Sequence, residues 1–334
     1  MVLVTIRDVA RKAGVSVSTV SRVINQNGYV GEDTERKVLD AMKELHYQPN
    51  RIARGLVSRR TSTIGLLIPD VANPFFSEMA RGVEDAAIAK GYSVLLCNSD
   101  WNPEREQMYI ELLKGRWVDG IVVVGSRSQA SAIEASVGDT PLVIVDRRSS
   151  EFKWSVWTDN CQGAVLAVEH LLAMGCTNIV HIAGPNDSPS AQERRKGYEQ
   201  AMSRAGLAGK VYEGDFRFAS GFHIATMILE GSERPDGIFA ANDLMAIGAL
   251  QAAAKLGIEV PRDVAVVGYD NIPTAGYVSP SLTTIEQPSY EMGASAFELL
   301  FEQLTDDSVQ GVRKAKFEPR LVVRHSSVKK RSSE

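Results

Sequence analysis

The feature that most constrains the fold is a regular alternation of short apolar runs with helix-length segments from Thr63 onward. The runs form two sets that divide near residues 158–161: TIGLLIP, YSVLLCN, DGIVVVG and PLVIVDR, then NIVHIAG, KVYEGDF, DGIFAAN and VAVVGYD. Strands and helices that alternate at this spacing form parallel βαβ units with helices on both faces of the sheet. We therefore predict an α/β core over residues 63–328, with one subdomain of residues 63–159 and 289–328 and a second of residues 160–288.

Charge is unevenly distributed along the 334 residues. Up to Arg60 there are eleven Lys and Arg against six Asp and Glu, whereas the remainder has 26 against 35. A basic amino-terminal region on an acidic remainder favours a polyanionic partner, such as nucleic acid, for that region alone. Hydrophobic residues make up 44% of the chain, which is enough to fill real cores and excludes a disordered or fibrous protein.

The basic region carries the signals of three short helices. Thr5 and Asp8 predict a capping box, and Gly14 is the residue type that ends a helix. Ser16 can cap a second helix over residues 16–23, so the first two helices form a helix-turn-helix within residues 1–48. A third amphipathic helix is expected over residues 32–45, and it closes a small core with Val38, Leu39, Met42 and Leu45.

The second helix has an apolar and a polar side. Val20, Val23 and Ile24 are spaced to pack inward. On the outward side, an arginine can pair with guanine, serines can donate or accept, and a valine can contact a thymine methyl group in the major groove. Spacing alone leaves open a serine-rich surface helix that touches only phosphates or nothing. The outward residues are Val17, Ser18, Ser21 and Arg22.

Three long motifs resemble the lac repressor family of bacterial transcription regulators. They are TIRDVARKAGVSVSTVSRVIN, TERKVLDAMKELHYQPNRIARGL and TIGLLIPDVANPFFSEMARGVEDAA, and the resemblance extends from Thr5 to Arg324. It implies an all-α helix-turn-helix head and a periplasmic-binding-protein-like core of two subdomains. It further implies that Val17, Ser18 and Arg22 read bases, and that Thr5, Thr19, Ser21, Asn25 and Tyr47 contact phosphates.

Residues 49–62 resemble the hinge helix and linker of that family. Gly55 lowers the intrinsic helicity of this short stretch by about 1 kcal/mol, so it needs partners to form a helix. The resemblance implies that two such helices pair across a dimer axis and that Leu56 enters the minor groove, with Asn50 and Ala53 beside it. An ordinary linker with a chance helical pattern is the alternative.

Polar and aromatic side chains follow several of the expected strands. Because the carboxyl ends of parallel strands meet at one edge, a ligand is expected there, in the cleft between the subdomains. Aromatic rings can sandwich a sugar ring, while carboxylates, guanidinium groups and amides bond neighbouring hydroxyls. Two aspartates and two arginines balance in charge, which favours a neutral polyol over an anion. The candidates are Asn73, Phe75, Phe76, Asp146, Arg147, Arg194, Phe216, Asn242, Asp270 and Gln287.

The motifs around these candidates add a narrower resemblance. NPFF, VDRR, ERRKGY, GDF, FAANDLMAIGAL, VGYDN and TTIEQP are similar to ribose repressors and ribose-binding proteins. This similarity implies that all ten candidates line a pentose site, with D-ribose or a related pentose as the effector. A nucleoside or a hexose stays open, because one changed side chain can switch specificity. Individually, Asn242 can equally be a helix cap, Asp270 a turn residue, and the paired phenylalanines core.

Signals for catalysis are missing from the sequence. The motifs G-x-G-x-x-G, G-x-x-x-x-G-K-S/T and G-x-S-x-G do not occur, and the five histidines lack metal-ligand spacing. Three cysteines without a C-x-x-C pair favour neither a disulfide framework nor a zinc site. We therefore expect no enzyme activity, no metal and no cofactor. No apolar run reaches the roughly 18 residues that cross a bilayer, so we expect no membrane contact and a cytoplasmic location.

Together these observations predict a homodimeric repressor that binds a near-palindromic operator in double-stranded DNA and is released by a pentose such as D-ribose. Two alternatives remain. In one, the chain is a co-repressor-type regulator that responds to another sugar or a nucleoside. In the other, it is a sugar-binding, receptor-like module without DNA activity.

Overall fold

The computed structural model describes residues 4–25, 28–47, 60–147, 152–306 and 311–328. The chain divides into two compact units, a head of Met1–Thr61 and a body of Ser62–Glu334. Within the described ranges, no helix is both long and apolar enough to cross a membrane.

Three helices make up the head: α1 (Ile6–Ala13), α2 (Val17–Asn25) and α3 (Glu32–Glu44). The predicted capping box of α1 is present on the side of Asp8. The Asp8 carboxylate accepts from the Thr5 amide at 3.0 Å and from the Thr5 hydroxyl at 2.7 Å. Gly14 ends α1 with a φ of +68°, a left-handed conformation that glycine adopts without steric cost. Ser16 caps α2 by accepting from the Thr19 amide at 3.1 Å.

The hydrophobic core of the head contains one fully buried valine from each helix. These are Val9, Val20 and Val38, and they belong to a single cluster of buried side chains. The prediction that Leu39 joins this core is wrong, since its side chain is 50% exposed. Leu39 follows Val38 by one residue, about 100° around a helix, and therefore turns away from the buried stripe.

The body contains twelve strands and nine helices within the described ranges. Its strands are β1 (Thr63–Ile68), β2 (Ser93–Asn98), β3 (Gly120–Val124), β4 (Leu142–Val145), β5 (Trp154–Thr158), β6 (Ile179–Ala183), β7 (Lys210–Glu213), β8 (Gly237–Ala240), β9 (Ala265–Asp270), β10 (Thr283–Glu286), β11 (Arg313–Phe317) and β12 (Arg320–Val322). Its helices are α4 (Pro74–Ala89), α5 (Pro103–Gly115), α6 (Ala130–Val137), α7 (Asn160–Ala173), α8 (Pro189–Arg204), α9 (Phe218–Glu230), α10 (Asp243–Lys255), α11 (Pro273–Tyr277) and α12 (Ser289–Thr305).

These strands form two six-stranded sheets, one in each subdomain. The first has the order β11-β5-β4-β3-β1-β2 and is parallel throughout. The second has the order β12-β10-β9-β8-β6-β7, and only β12 is antiparallel to its neighbour. The predicted α/β architecture of two parallel-sheet subdomains is confirmed, with β5, β10, β11 and β12 added to the eight expected strands.

The chain passes between the subdomains three times, after β5, after β10 and after β11. The predicted division expected only the first two crossings, so assigning all of residues 289–328 to the first subdomain is wrong. β11 pairs with β5 in the first sheet, whereas β12 pairs with β10 in the second. Only two residues separate β11 from β12. A connection this short has no distinctive composition, so the sequence does not reveal the third crossing.

Helix α12 returns to the first subdomain, as expected, and packs on α4. Two glycines permit the contact. A Cβ on Gly82 would lie 2.0 Å from the Tyr290 carbonyl oxygen, and a Cβ on Gly293 would lie 2.0 Å from the Met79 carbonyl oxygen. The two backbones therefore approach too closely for any side chain at either position.

The segment after Arg324, HSSVKKRSSE, has the polar composition of a frayed tail, but its first residues are packed against the body. Ser326 and Ser327 are fully buried. The Ser326 hydroxyl accepts from the Thr283 amide at 2.8 Å, and the Ser327 hydroxyl lies 2.7 Å from that of Thr283. Hydroxyl groups that bond to β10 hold this segment on the second sheet, although its composition is that of a free tail. Residues 329–334 lie outside the described residues.

Candidate functional site

A cavity lies where the carboxyl ends of strands from both sheets meet. Its side chains lie close together and leave a cavity volume of about 10 Å³, roughly the room of one water molecule. A larger ligand therefore enters only when the two walls move apart. The lining residues are Asn73, Phe75, Phe76, Trp101, Asp146, Ser190, Arg194, Phe216, Asn242 and Asp270.

Eight of the ten candidate ligand residues line this one cavity, although they come from six separate parts of the sequence. The other two, Arg147 and Gln287, do not. The Arg147 guanidinium donates to the Ser128 carbonyl oxygen and lies 5.3 Å from the ring centre of Phe152. Gln287 is buried behind Asp270 and donates to its Oδ1 at 2.8 Å, so it can orient that carboxyl group.

Arg194 is the centre of the polar wall. Its Nε donates to Asn160 Oδ1 at 2.8 Å, and its Nη1 donates to the Ala241 carbonyl oxygen at 2.5 Å. The same Nη1 lies 3.6 Å from Asp270 Oδ1, and the guanidinium carbon lies 3.8 Å from the ring centre of Tyr269. These contacts fix the guanidinium group in one orientation at the boundary of the cavity.

The two carboxyl groups of the cavity have raised pKa values. Burial raises the pKa of Asp146 to about 6 against the opposing effects of Arg194 and Asn160. Burial also raises the pKa of Asp270 to about 7, with Arg194 and Gln287 opposing it and the charge of Asp146 adding to it. Asp146 Oδ1 is a buried oxygen that accepts no hydrogen bond from the described residues. It is therefore an acceptor suited to a ligand that brings its own donors.

The charge balance differs from the one expected from sequence. With Arg147 bonded elsewhere, the cavity has two carboxyl groups and one guanidinium group. An anionic ligand would add to this surplus of negative charge, while a ligand with several hydroxyl groups could donate to both carboxylates. A neutral polyol is therefore still the favoured ligand. The reason is that carboxyl groups outnumber guanidinium groups in the cavity, and not that their charges balance.

Aromatic side chains form the apolar wall. Phe75 and Phe76 lie in the first turn of α4 and meet edge to face with ring centres 5.1 Å apart. The side chain of Asn73 caps this helix by accepting from the Phe75 amide at 3.1 Å. Trp101 contacts Phe76 edge to face at 5.6 Å and stacks on Phe216 at 5.5 Å. The four rings together form an apolar surface of the kind that contacts the face of a sugar or a base.

Sequence reasoning missed two lining residues, Trp101 and Ser190. Trp101 follows β2, and the rule that ligand residues follow strand ends could have found it. Ser190 lies in the first turn of α8, four residues before Arg194, a position that one sequence cannot separate from an ordinary helix start.

Four lining residues have left-handed backbone conformations that are rare for residues other than glycine. The φ angles are +59° at Trp101, +59° at Asp146, +67° at Phe216 and +108° at Asp270. Such conformations cost on the order of 1–3 kcal/mol each and cluster at functional sites. Their concentration around one cavity is independent support for a binding role.

The second helix of the head presents the face expected of a DNA reader. Val17, Ser18 and Arg22 are exposed, while Val20 and Val23 are buried. The hydroxyls of Ser18 and Thr19 lie 2.7 and 2.8 Å from that of Ser16 at the helix start, and this contact orients them. The three candidate base readers therefore lie on the free side of α2.

The other candidate DNA contacts differ in how far their side chains are exposed. Thr5 is exposed at the start of α1, Ser21 is half-buried, and Tyr47 packs partly against the core of the head. Asn25 ends α2, but its side chain lies outside the described residues. The hinge candidates, Asn50, Ala53 and Leu56, also lie outside them.

Both units match known families. Residues 5–50 match the bacterial regulatory proteins of the lacI family, and residues 168–327 match a periplasmic binding protein-like domain. The ribose operon repressor of Halalkalibacterium halodurans is 42% identical over 97% of both chains. The repressor PurR of Edwardsiella ictaluri is 37% identical, again over 97% of both chains.

The whole fold also has a solved counterpart. A lac repressor dimer bound to operator and an anti-inducer superposes with a TM-score of 0.90 at 31% identity, and the match covers 98% of this chain and 99% of that one. The sequence match to full-length relatives and this structural agreement lead to one conclusion. The chain belongs to the lacI family of bacterial regulatory proteins.

Proposed function

We propose that this protein is a transcriptional repressor that binds a near-palindromic operator as a homodimer and is released when a pentose, D-ribose or a close relative, binds the cavity of the body. The observation that carries the proposal is the convergence of Asp146, Arg194 and Asp270 with three phenylalanines around one cavity. The names of the relatives support repression, and one of them is a ribose operon repressor.

The shape and charge of the cavity favour a pentose. The rings of Phe75, Phe76 and Phe216 provide apolar contact for the faces of a small ring, and Asp146 and Asp270 accept from hydroxyls at its edge. A phosphorylated sugar would bring negative charge to two buried carboxyl groups.

Dimer formation is supported by apolar side chains on the surface of the first subdomain. Strand β2 is at the edge of its sheet, and its Leu95 and Leu96 are 36% and 48% exposed. In the next helix, α5, Met108 and Leu112 are 50% and 42% exposed. An edge strand with exposed leucines invites association, and a second copy of the chain covers it without leaving an open sheet edge.

Two heads in such a dimer would read two half-sites, so the operator should be symmetric. We assign base reading to Val17, Ser18 and Arg22, and phosphate contacts to Thr5, Thr19, Ser21, Asn25 and Tyr47. Residues 49–62 would act as the hinge, with Leu56 in the minor groove and Asn50 and Ala53 beside it. Ligand binding would release the heads by changing how the two hinges pair.

The proposed role requires binding alone. Relatives over the full length are repressors, which supports the inference that the chain is not an enzyme and needs neither a cofactor nor a metal ion. A protein that regulates transcription acts where the bacterial chromosome is, which supports the expected cytoplasmic location.

Two linked measurements test this function. Selection from a random DNA library should yield one palindromic sequence, and a ligand screen by thermal shift should raise the Tm most with D-ribose among pentoses, hexoses, nucleosides, purines and sugar phosphates. Ribose should then dissociate the selected DNA complex. Failure to select any sequence would favour a receptor-like module. A ligand that strengthens the DNA complex would favour a co-repressor-type regulator, and the class of ligand that raises the Tm would identify the effector.

A further inference from the structure

Two adjacent residue pairs connect the subdomains across the mouth of the cavity. Asp100 and Trp101 follow β2 in the first subdomain, and Phe216 and Arg217 follow β7 in the second. The indole of Trp101 stacks on the ring of Phe216 with centres 5.5 Å apart and planes at 29°. Beside this stack, Arg217 Nη2 donates to Asp100 Oδ1 at 2.8 Å. We call these four residues the clasp.

Each half of the clasp is fixed to its own subdomain. Phe216 presses on Gly184, where a Cβ would lie 2.2 Å from its ring, and its carbonyl oxygen accepts from Asn242 Nδ2 at 2.8 Å. Trp101 contacts Phe76, and its ring would lie 3.6 Å from a Cβ on Gly125. Opening of the cleft must therefore separate Trp101 from Phe216.

A second contact reinforces Trp101. The Arg127 guanidinium carbon lies 4.6 Å from the centre of the indole, and its Nη1 forms a 3.3 Å ion pair with Asp187 of the second subdomain. The side chain of Arg127 is only 14% exposed, so this cation lies against the ring in a poorly solvated position, where a cation–π contact is strongest.

We propose that Trp101 determines the size specificity of the cavity. Clasped to Phe216, its indole closes the mouth and restricts the ligand to a single ring. The chemical class admitted is a free monosaccharide, and the class excluded is one in which the same pentose carries a second ring, as in a nucleoside. This inference rests on the proposed function for the identity of the sugar, but the clasp itself does not depend on that identity.

Calorimetry with two probes tests the specificity. D-Ribose and adenosine contain the same pentose and differ by a second ring system. The unmodified chain should bind ribose at least about 100-fold more tightly than adenosine, and Trp101→Ala should reduce that preference by about 10-fold or more, because the space beyond the pentose opens. Trp101→Phe should give an intermediate preference. The matched control is Trp117→Ala, which removes an indole that is 76% exposed and should leave the preference unchanged.

A measurement without ligand tests the clasp separately. The difference in tryptophan emission between the unmodified chain and Trp101→Phe isolates the emission of Trp101. Acrylamide should quench this emission weakly, and quenching should increase at least about twofold in Phe216→Leu, where the stack is lost.

The outcomes separate the two proposals. If neither probe binds but Trp101 is protected until Phe216 is changed, the pentose assignment fails and the clasp stands. The clasp proposal is overturned if ribose binds and Trp101→Ala prefers ribose over adenosine as strongly as the unmodified chain does. It is also overturned if acrylamide quenches Trp101 freely in the unmodified chain. Circular dichroism melting of each variant establishes that it is folded.

Discussion

Arg194 and Asp270 lie 3.6 Å apart, nitrogen to oxygen, with side chains that are 3% and 4% exposed. Arg194→Ala leaves Asp146 and Asp270 buried without their cation and also removes the donors to Asn160 and Ala241. We expect a loss of about 3–5 kcal/mol in the free energy of unfolding, the usual cost of breaking a buried ion pair. Urea denaturation measures it.

The neighbouring residue offers a matched control for this change. Arg195 is 46% exposed and pairs with Glu199 one turn away on the surface of α8. Arg195→Ala should change the free energy of unfolding by less than about 1 kcal/mol. Equal losses for Arg194→Ala and Arg195→Ala would contradict the role assigned to the buried pair.

The raised pKa of Asp270 predicts a pH dependence of stability. Its pKa is about 7 in the folded protein and 3.8 as the ordinary value, so between these limits the folded protein holds more protons than the unfolded chain. The stabilisation from this group is therefore fully present below about pH 4 and is lost as the pH rises through about 7. His181 acts in the opposite direction, because burial lowers its pKa to about 3.

The contribution of Asp270 can be isolated by comparing the chain with Asp270→Asn, which retains the acceptor for Gln287. The Tm of the unmodified chain should decrease relative to that of the variant between pH 5 and about 7.5, and the difference should then stay constant. A difference that is independent of pH would show that Asp270 is ionised throughout this range.

Binding of a polyol should release protons from the same cavity. Hydroxyls that donate to Asp146 and Asp270 stabilise the ionised carboxylates, so bound ligand lowers both pKa values. Titration calorimetry at pH 6.5 in buffers of different ionisation enthalpy should show net proton release with D-ribose, and the release should vanish at pH 8.5. Proton uptake would mean that the ligand binds the protonated acids.

Arg22 is the most specific prediction for the head. If its guanidinium pairs with a guanine, Arg22→Ala should relax the preference at one operator position by about 1–3 kcal/mol, as measured by competition binding with singly substituted operators. Arg36→Ala, an exposed arginine on α3, is the control and should leave the base preference at every position unchanged. A uniform loss over all sequences for Arg22→Ala would instead assign it a phosphate contact.

The sequence predicted those parts of the structure that local patterns determine. The caps at Thr5 and Gly14 and the apolar strand runs each have a physical signature within a few residues. Seven of the eight cavity residues lie at or after the end of a strand, and the carboxyl ends of strands must converge in a parallel sheet. Arg194 lies within α8, and the resemblance to ribose repressors indicated it.

The sequence failed where long-range contacts decide. Arg147 follows Asp146 directly, yet its guanidinium bonds to Ser128, a partner 19 residues away that no local pattern reveals. Ser326 and Ser327 have a tail-like composition but bond to Thr283 from more than 40 residues away. The core assignment of Leu39 failed for a different reason. It relied on the apolar side chain, whereas the angular position of Leu39 on α3 turns that side chain away from the core.

The contact between α4 and α12 gives a prediction for stability. Gly82→Ala places a Cβ on a backbone oxygen of Tyr290, and neither backbone can move without shifting its helix. We expect a loss of about 1–3 kcal/mol or more in the free energy of unfolding, measured by urea denaturation. Gly115→Ala at the end of α5 has open space around it and should be neutral or stabilising by up to about 1 kcal/mol. Similar effects at both positions would contradict the close approach.

The central claim is that a pentose between Asp146, Arg194 and Asp270 releases the operator. The most direct test is the fluorescence anisotropy of a labelled operator, selected from random DNA, during titration of its complex with D-ribose. The unmodified complex should dissociate as ribose is added, whereas Asp146→Asn, a change that the left-handed backbone tolerates, should bind the operator equally well and remain bound. An unmodified complex that ribose leaves intact or strengthens would contradict the claim, and so would an Asp146→Asn complex that ribose releases as readily.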